Sequence, residues 1–372
     1  MSKRSTVIAI GSRNFFGAER RFMKLVRQIL RRDDLPIHVY LIINYSLYVA
    51  AKKVAWAGEL LAELEESRQL VVLPDGWTSA FKGRNIVSAW QLLRSDRLRA
   101  ILHGRIFAIP RLLISRDTIF EVTSVDDAAK IVGAIPSFLL RKVRSFNCVS
   151  DTVAARLTAL LKDRGYTPLL DRIRIDHAPL FVPTVEDYAR ADKGRTITFA
   201  SRFISRKNPI LFAKAVDAFL TNHPEWNVNI CGRGELEQDI KSILKEHIGT
   251  RVDVRYDSRL EETLRSSSVY VSLIEPNNYP SQSILEAMYY GCALLLSNTG
   301  NSADFISRDA PNGVLVELSV ESVVAGLERL CASASELSTM GMNSRRLLDR
   351  SFSHDEYISS FVSHTLQHRH VR

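Results

Sequence analysis

The amino-acid sequence predicts an α/β protein built from two doubly wound, Rossmann-like domains. Short apolar segments rich in β-branched residues alternate along the chain with segments of helical periodicity, a pattern typical of parallel sheets covered by helices. At 372 residues the chain is too long for one hydrophobic core. A polar segment at 180–195 separates two such series. We therefore expect domains at 1–185 and 195–335, followed by C-terminal helices at 336–372 that pack back towards the first domain.

The first predicted domain opens with a strand at 6–10, a glycine-containing loop and a helix. Gly17 stands just before this helix, where the backbone can approach a ligand or simply turn. His103 directly follows a later buried strand at 100–102. Open α/β proteins bind ligands at the carboxyl ends of their strands, so His103 is a candidate site residue, and an ordinary loop role is the alternative. The other predicted elements are strands at 37–43, 70–73, 118–122 and 147–149, and helices at 45–66, 84–98 and 152–161.

The second predicted domain repeats the alternation of strand and helix. Arg202 and Lys207 lie in the turn after its first strand, and Gly232 and Gly234 follow its second strand. Because parallel strands end at one edge of a sheet, we expect these residues to share that edge. The predicted strands of this domain are at 196–200, 228–230, 252–255, 269–274 and 293–296.

A helix is predicted to start near 281–283, after a loop that contains two prolines and two asparagines. Ser281 or Ser283 can cap this helix, and Gln282 lies between them. The free backbone N–H groups of such a helix start form a site for phosphate. Glu286 lies one turn into the helix, where it can accept hydrogen bonds from ribose hydroxyl groups. The alternative is a capping box, in which Glu286 bonds only the start of its own helix.

Two cations and a helix start, gathered at one sheet edge, can hold a diphosphate and stabilise it as a leaving group. The sequence contains no Asp-x-Asp motif. We therefore expect cationic side chains, rather than a metal ion, to neutralise the diphosphate. No metal site and no cofactor are predicted.

The charge is distributed unevenly along the chain. Residues 1–195 contain 32 Lys and Arg against 20 Asp and Glu, a net charge of +12, and the remainder has 18 against 21, a net charge of −3. A basic first half favours an anionic partner such as a membrane surface, although a generally Arg-rich proteome is an equal alternative. A nucleic-acid partner is not expected, because interleaved aromatic residues and a groove-entering motif are missing from the sequence.

The cysteines and the apolar segments favour a cytoplasmic protein. Cys148, Cys231, Cys292 and Cys331 are far apart and show neither metal-site spacing nor a disulfide framework. No apolar segment has the length of a membrane span, and the apolar run near the N-terminus is too short for a signal peptide. We expect a cytoplasmic location, with peripheral attachment to the inner face of the membrane through basic charge.

Several motifs resemble a known family. The segment SRFISRKNP resembles the Gly-Arg-Leu-x-x-x-Lys-Gly turn of the group 1 glycosyltransferases, a large retaining family with the GT-B fold. NICGRG resembles its Ile-x-Gly-x-Gly strand end, and YPSQSILEAMYYGCALLLSNTG resembles its donor-site signature in the form of a lipopolysaccharide- and capsule-type subgroup. In the first domain, GAER, ILHGR and CVSDTVAARL resemble the family more loosely. The resemblance covers residues 6 to about 330 and implies two Rossmann-like domains that face each other across a cleft.

The resemblance also implies roles for individual residues. Arg202 and Lys207 would contact the donor diphosphate, Glu286 would bind the ribose, and His103 would position the sugar or stabilise positive charge near its anomeric carbon. The remaining residues assigned to donor binding are Gly17, Gly232, Asn278, Ser281, Gln282 and Ser283.

One departure from the family concerns its first glutamate, which contacts the transferred sugar. Asn277 or Asn278 stands at that place, and Glu275 lies too early in the loop. An asparagine can bond a sugar hydroxyl group but carries no charge. The departure implies an altered choice of donor or a reduced activity.

The predicted function is therefore that of a retaining, metal-independent hexosyltransferase. Its donor is a nucleotide diphosphate sugar, and its acceptor is a saccharide or a lipid-linked saccharide in cell-surface polysaccharide biosynthesis, such as lipopolysaccharide. Two alternatives stay open. A GT-B sugar-nucleotide epimerase would need no basic acceptor domain, and a catalytically silent subunit would keep only the affinity for the sugar nucleotide.

Overall fold

The computed structural model describes residues 3–13, 15, 17–73, 75, 97–101, 117–176, 193–257, 260–275, 279 and 281–366, with 97–101 described by backbone alone. The chain divides into two compact units. The first unit comprises Met1–Pro183 and His354–Arg372, and the second comprises Thr184–Ser353. The boundary predicted at 335 falls inside a helix of the second unit, so only the segment from His354 returns to the first unit.

The described residues of the first unit form a parallel sheet with the strand order β3-β2-β1-β4-β5-β6-β7. The strands are β1 (Arg4–Ile10), β2 (Ile37–Asn44), β3 (Leu70–Leu73), β4 (Arg97–Ile101), β5 (Ile119–Val122), β6 (Ser145–Cys148) and β7 (Ile173–Ile175). The helices are α1 (Gly17–Leu30), α2 (Tyr45–Lys52), α3 (Ala55–Glu66), α4 (Val125–Ala134), α5 (Ser137–Leu140) and α6 (Asp151–Asp163).

Three sequence predictions for this unit need correction. The helix predicted at 45–66 is two helices, because Val54 adopts an extended conformation (φ −110°) between α2 and α3. The helix predicted at 84–98 does not reach its expected end, since β4 already begins at Arg97. Three prolines at 168–183 predict an irregular segment, but its first part forms a 3₁₀ turn (Thr167–Arg172) and β7.

Each face of the first sheet is covered by its own apolar core. On one face, Phe120 and Phe146 pack at a ring-centroid distance of 6.0 Å among residues of α4 and α6. On the other face, Ile8 and Ile10 pack among residues of α1, α2 and α3. The last described helix, α13 (His354–Leu366), adds four apolar side chains to this second core: Tyr357, Ile358, Phe361 and Val362. The C-terminal segment is thus an integral part of the first unit.

The second unit contains a parallel sheet with the strand order β10-β9-β8-β11-β12-β13. Its strands are β8 (Thr196–Ala200), β9 (Asn227–Cys231), β10 (Val252–Arg255), β11 (Val269–Ser272), β12 (Ala293–Ser297) and β13 (Gly313–Val316). Its helices are α7 (Pro209–Asn222), α8 (Glu237–Ile243), α9 (Leu260–Ser266), α10 (Gln282–Tyr289), α11 (Val320–Cys331) and α12 (Ala334–Ser351). Strand β13 was not predicted from the sequence.

A glycine contact holds α12 against the C-terminal end of α10. A Cβ atom built on Gly341 would lie 2.2 Å from the carbonyl oxygen of Gly291, which follows α10 with φ +67°. The two backbones therefore lie so close that position 341 has no room for any side chain. This contact fixes the C-terminal end of the helix whose other end is the predicted phosphate site.

We expect Gly341→Ala to lower the free energy of unfolding of the second unit by about 1–3 kcal/mol, because the added methyl group overpacks this contact. Gly133→Ala is the matched control, since Gly133 lies in α4 with nothing within 4 Å of the added Cβ. That change should stabilise the first unit by about 0.5–1 kcal/mol through the reduced entropy of the unfolded chain. Urea unfolding monitored by circular dichroism measures both, and equal effects would contradict the contact.

Candidate functional site

The order in which the chain adds strands to the second sheet reverses between β8 and β11. The chain runs outward from β8 through β9 to β10, and then returns to place β11 on the opposite side of β8. The connections that follow two such neighbouring strands diverge, and they leave a crevice at the carboxyl ends of the strands, where open α/β proteins bind ligands. The loop that follows β8 carries Arg202 and Lys207, and the loop that follows β11 leads to α10.

A left-handed residue shapes the loop after β8. The loop contains a short 3₁₀ turn, Ser205–Lys207, and Asn208 then adopts φ +51° before α7 begins. The Asn208 amide group donates a hydrogen bond to the Leu273 carbonyl oxygen (3.1 Å). The Glu275 N–H group donates to the Arg206 carbonyl oxygen (3.0 Å). These two bonds attach the loop that carries the cations directly to the segment that follows β11.

The turn after β9 packs against the same loop from the other side. A Cβ atom on Gly232 would lie 1.9 Å from the Ser201 carbonyl oxygen, and one on Gly234 would lie 2.4 Å from the Phe203 carbonyl oxygen. The Phe203 N–H group donates to the Arg233 carbonyl oxygen (3.0 Å), and the Phe203 side chain is fully buried. The close backbone contact thus requires glycine at 232 without any ligand. The donor-binding role assigned to Gly232 stays a prediction.

Three cations lie together in the loop after β8. Arg202 and Arg206 are exposed, and Lys207 is half-buried beside them. Burial of the Lys207 ammonium group, followed by repulsion from Arg206 and Arg202, lowers the pKa of Lys207 to about 7. An anion bound here would offset the repulsion among the three cations, so the loop is suited to a polyanionic ligand.

The N-terminus of α10 differs from the predicted capping box. The helix begins at Gln282, and Ser281 occupies the N-cap position without a side-chain bond to the helix. Glu286 is therefore the fifth residue of α10, whereas a capping box requires the third, so the capping-box alternative is wrong. The first backbone bond runs from the Leu285 N–H group to the Ser281 carbonyl oxygen (3.1 Å). Earlier N–H groups of the helix have no partner within the helix itself.

A buried tyrosine beneath α10 was not identified from the sequence. Tyr270, in β11, is fully buried, and its hydroxyl group donates to the Ala200 carbonyl oxygen (3.1 Å). Burial raises the pKa of Tyr270, the Ser283 hydroxyl group opposes that rise, and the negative charge of half-buried Glu286 adds to it. The charge of Glu286, the residue predicted to bind the ribose, thus acts on the buried Tyr270 hydroxyl group. In the sequence, Tyr270 is one aromatic residue in an apolar strand and carries no further signal.

Other predicted site residues lie elsewhere. His103 and Asn278, together with Asn277, lie outside the described residues. Gly17 is the exposed first residue of α1 in the first unit, and its approach to the diphosphate stays a prediction.

Within the described part of the chain, no group of three or more His, Cys, Asp and Glu side chains is arranged to hold a metal ion. None of the described helices combines the length and the apolar character of a bilayer-spanning helix.

Comparison with known proteins identifies a family that matches the second half of the chain. Residues 184–347, which contain the whole sheet edge described above, match the family of glycosyl transferases group 1. An uncharacterized glycosyltransferase of Haemophilus influenzae is 24% identical over 173 residues, which make up 45% of this chain and 48% of that protein. The chain thus spans about half the length of the curated relative that it matches.

Solved structures extend the likeness to nearly the whole chain. HepE of Anabaena in complex with UDP superposes with a TM-score of 0.72 at 11% identity, covering 96% of this chain and 98% of HepE. The lipopolysaccharide outer core galactosyltransferase WaaB gives a TM-score of 0.63 at 14% identity, covering 96% and 98%. The chain has the GT-B fold. The predicted fold class is confirmed, and the family match supports the prediction of a GT-B glycosyltransferase.

The low pKa of Lys207 is directly measurable. We expect Arg206→Ala to raise the pKa of Lys207 above its value of about 7, because Arg206 is the stronger of the two repelling charges. A titration that follows the ¹³Cε resonance of Lys207 by NMR measures this. Arg195→Ala is the control, since it removes an exposed cation just before β8, at the opposite edge of the same sheet. An unchanged pKa of Lys207 in Arg206→Ala would show that the cations do not interact.

Proposed function

We propose that this protein is a retaining, metal-independent glycosyltransferase. It transfers a sugar from a nucleotide diphosphate sugar to a saccharide or lipid-linked acceptor in cell-surface polysaccharide biosynthesis. The observation that carries the proposal is the convergence of the Arg202–Lys207 loop and the start of α10 at the switch point of the second sheet. The structural likeness to HepE in complex with UDP-glucose (TM-score 0.69, 11% identity) and to WaaB supports the choice of donor and pathway.

The donor diphosphate occupies the crevice between β8 and β11 in this proposal. Its oxygens accept hydrogen bonds from the N–H groups in the first turn of α10 and from Arg202. Its negative charge raises the pKa of Lys207, so that the bound enzyme holds Lys207 protonated. A protonated Lys207 then stabilises the charge that develops on the diphosphate as the bond to the sugar breaks. Glu286, in the second turn of α10, accepts hydrogen bonds from the ribose.

A catalytically silent subunit is the second candidate, and the asparagines at 277 and 278 favour it. Such a subunit binds the sugar nucleotide without transferring the sugar, and an epimerase releases a changed sugar nucleotide without an acceptor. Product analysis separates the three. A glycosyltransferase releases the nucleoside diphosphate in an acceptor-dependent reaction, and that product is the one we expect.

Donor binding should depend on Arg202 and Glu286. We expect one of UDP-, GDP-, ADP- or dTDP-glucose to raise the melting temperature of the wild type, because a ligand that binds only the folded state stabilises it. Arg202→Ala should weaken that binding roughly 10- to 100-fold, the usual effect of losing a hydrogen bond to a charged group. Glu286→Ala should act in the same direction. Thermal-shift and calorimetric titrations measure both effects.

Arg195→Ala again provides the control, since it changes the net charge of the second unit as Arg202→Ala does. It should leave the affinity for the donor unchanged. If the wild type binds no nucleotide sugar, the proposal is refuted. If Arg195→Ala and Arg202→Ala lose equal donor affinity, the loss reflects the net charge and not a specific contact of Arg202.

The affinity for the donor should also depend on pH. Lys207 has a pKa of about 7 without ligand, and the bound diphosphate raises it. Below this value Lys207 is already protonated, and above it binding must take up a proton, so the affinity falls as the pH rises through about 7. The intact nucleotide sugar is the ligand to titrate, because its diphosphate, esterified at both ends, stays fully ionised. Lys207→Met should bind more weakly and lose this pH dependence, and a dependence that persists would exclude Lys207 as its source.

A further inference from the structure

Three cationic side chains lie on one side of α1, close to its start. Arg20 and Lys24 are one helical turn apart, and Arg21 lies between them, three residues before Lys24. Residues three and four positions apart are neighbours on a helix surface, so these charges repel each other. The dipole of α1 adds further positive charge at the helix start. We refer to Arg20, Arg21 and Lys24 as the α1 cluster.

Each cation of the α1 cluster lies over an aromatic ring and has no acid beside it. The distances from the charged group to the ring centroid are 5.3 Å for Arg20 over Phe15, 4.5 Å for Arg21 over Phe22 and 5.9 Å for Lys24 over Trp56. Within the described part of the chain, none of the three side chains forms an ion pair or a hydrogen bond. An aromatic ring attracts a cation but leaves its hydrogen-bond donors without an acceptor.

Other cations of the first unit have carboxylate partners. Arg27, on the next turn of α1, lies 3.2 Å from a carboxylate oxygen of Glu59. Arg32, just after the helix, lies 2.8 Å from a carboxylate oxygen of Asp34. The lack of acids is thus a property of the first two turns of α1 and not of the whole helix.

Arg21 points most directly to a missing anion. The residue is only 4% exposed, and its Nε and Nη2 atoms are buried without a hydrogen-bond partner. Helical side chains tilt towards the N-terminus of their helix, so the guanidinium group lies alongside the first turn of α1. A buried charge without a partner is destabilising. An oxyanion bound at the start of α1 would supply that partner.

We propose that the α1 cluster binds the anionic group, a phosphate or a carboxylate, of the acceptor saccharide. That the ligand is an acceptor rests on the proposed function. Exposed Arg20 and half-buried Lys24 donate hydrogen bonds to the oxyanion, and Arg21 adds its charge from the buried side. The donor diphosphate has its own cations, Arg202 and Lys207, in the second unit, so the cluster is assigned to the other substrate. The acceptor is accordingly a phosphorylated or acidic saccharide.

The burial of the cluster favours a small oxyanion over a membrane surface. Lipid headgroups are contacted by protruding basic side chains, assisted by apolar side chains that enter the bilayer. Here Arg21 is buried and Lys24 is half-buried, and of the aromatic partners Phe15 is buried and Trp56 is half-buried. A small oxyanion can reach such groups, whereas a flat lipid surface contacts only Arg20.

The test is a titration with glucose 6-phosphate and glucuronic acid, with glucose as the neutral probe, followed by saturation-transfer difference NMR. Every protein carries Arg202→Ala, which weakens the candidate donor site of the second unit. We expect an anionic sugar to bind and glucose not to bind. Arg20→Gln and Lys24→Gln should each weaken that binding about 10-fold, the effect of losing a hydrogen bond to a charged group. Binding of neither anionic sugar would refute the proposal.

Arg27→Gln is the matched control. It removes the same charge from the same helix, but Arg27 already has Glu59 as its partner. This variant should keep the affinity for the anionic sugar. An equal loss in Arg27→Gln and Lys24→Gln would show that only the net charge matters, and the proposal would be wrong. Without ligand, the melting temperature of Lys24→Gln should change little, because the lost contact with Trp56 and the relieved repulsion are of similar size.

Arg21→Met separates binding from folding. The change replaces the guanidinium group by an apolar side chain, so it should raise the melting temperature without ligand by roughly 2–4 °C. The affinity for the anionic sugar should fall about 10-fold at the same time. A purely structural role of Arg21 predicts the opposite pattern, a lower melting temperature with the affinity retained.

Two further titrations separate this proposal from the proposed function and from membrane binding. Nucleotide sugars are titrated into the wild type and into Arg20→Gln and Lys24→Gln with Arg202 intact. If the wild type binds none, the proposed function fails, whereas the α1 cluster is still judged by the anionic sugars. If the two variants lose affinity for the nucleotide sugar as well, the cluster serves the donor and the proposal is refuted. It is also refuted if they lose only the binding to vesicles of phosphatidylcholine and phosphatidylglycerol.

Discussion

The close contact between the turns after β8 and β9 is the constraint on which the candidate site depends. Glycine at 232 and 234 lets the backbone of one turn lie directly on the backbone of Ser201 and Phe203. The cationic loop therefore cannot move towards β9. On its other side, Asn208 and Arg206 attach it to the segment after β11. Held from both sides, the loop keeps Lys207 beside two arginines and maintains the lowered pKa of Lys207.

The two faces of the second sheet differ in character. One face is an apolar core that includes Phe199 and Val271. The opposite face contains buried hydroxyl groups, among them those of Thr198, which bonds to Ser267 just after α9, and of Tyr270, which bonds to Ala200 in β8. Apolar packing tolerates small displacements, whereas a hydrogen bond restricts both distance and direction. Helix α10, whose start we assign to the diphosphate, packs against β11, the strand that carries Tyr270, and against β12.

The sequence predicted the elements of the fold well, because buried parallel strands are short apolar runs that are easy to recognise. It also placed Arg202 and Lys207 at the correct sheet edge, since both follow a strand end. The prediction failed where local conformation decides. The extended Val54 divides one predicted helix into two. Helix α10 starts at Gln282, so Glu286 is its fifth residue and not the third, which a capping box requires. The lowered pKa of Lys207 depends on burial, and the bond from buried Tyr270 to Ala200 joins residues distant in sequence. Neither property can be predicted from the local sequence pattern.

The return of α13 to the first unit has a consequence for the order in which the protein is made. Domains generally fold as units during synthesis, with the N-terminal one first. Here Tyr357, Ile358, Phe361 and Val362 belong to the core of the first unit, yet the ribosome makes them only after the entire second unit. Until then the nascent first unit exposes the apolar surface that α13 later covers. Its maturation must wait for the translation of its neighbour, and a chaperone that binds exposed apolar surface has that interval in which to act.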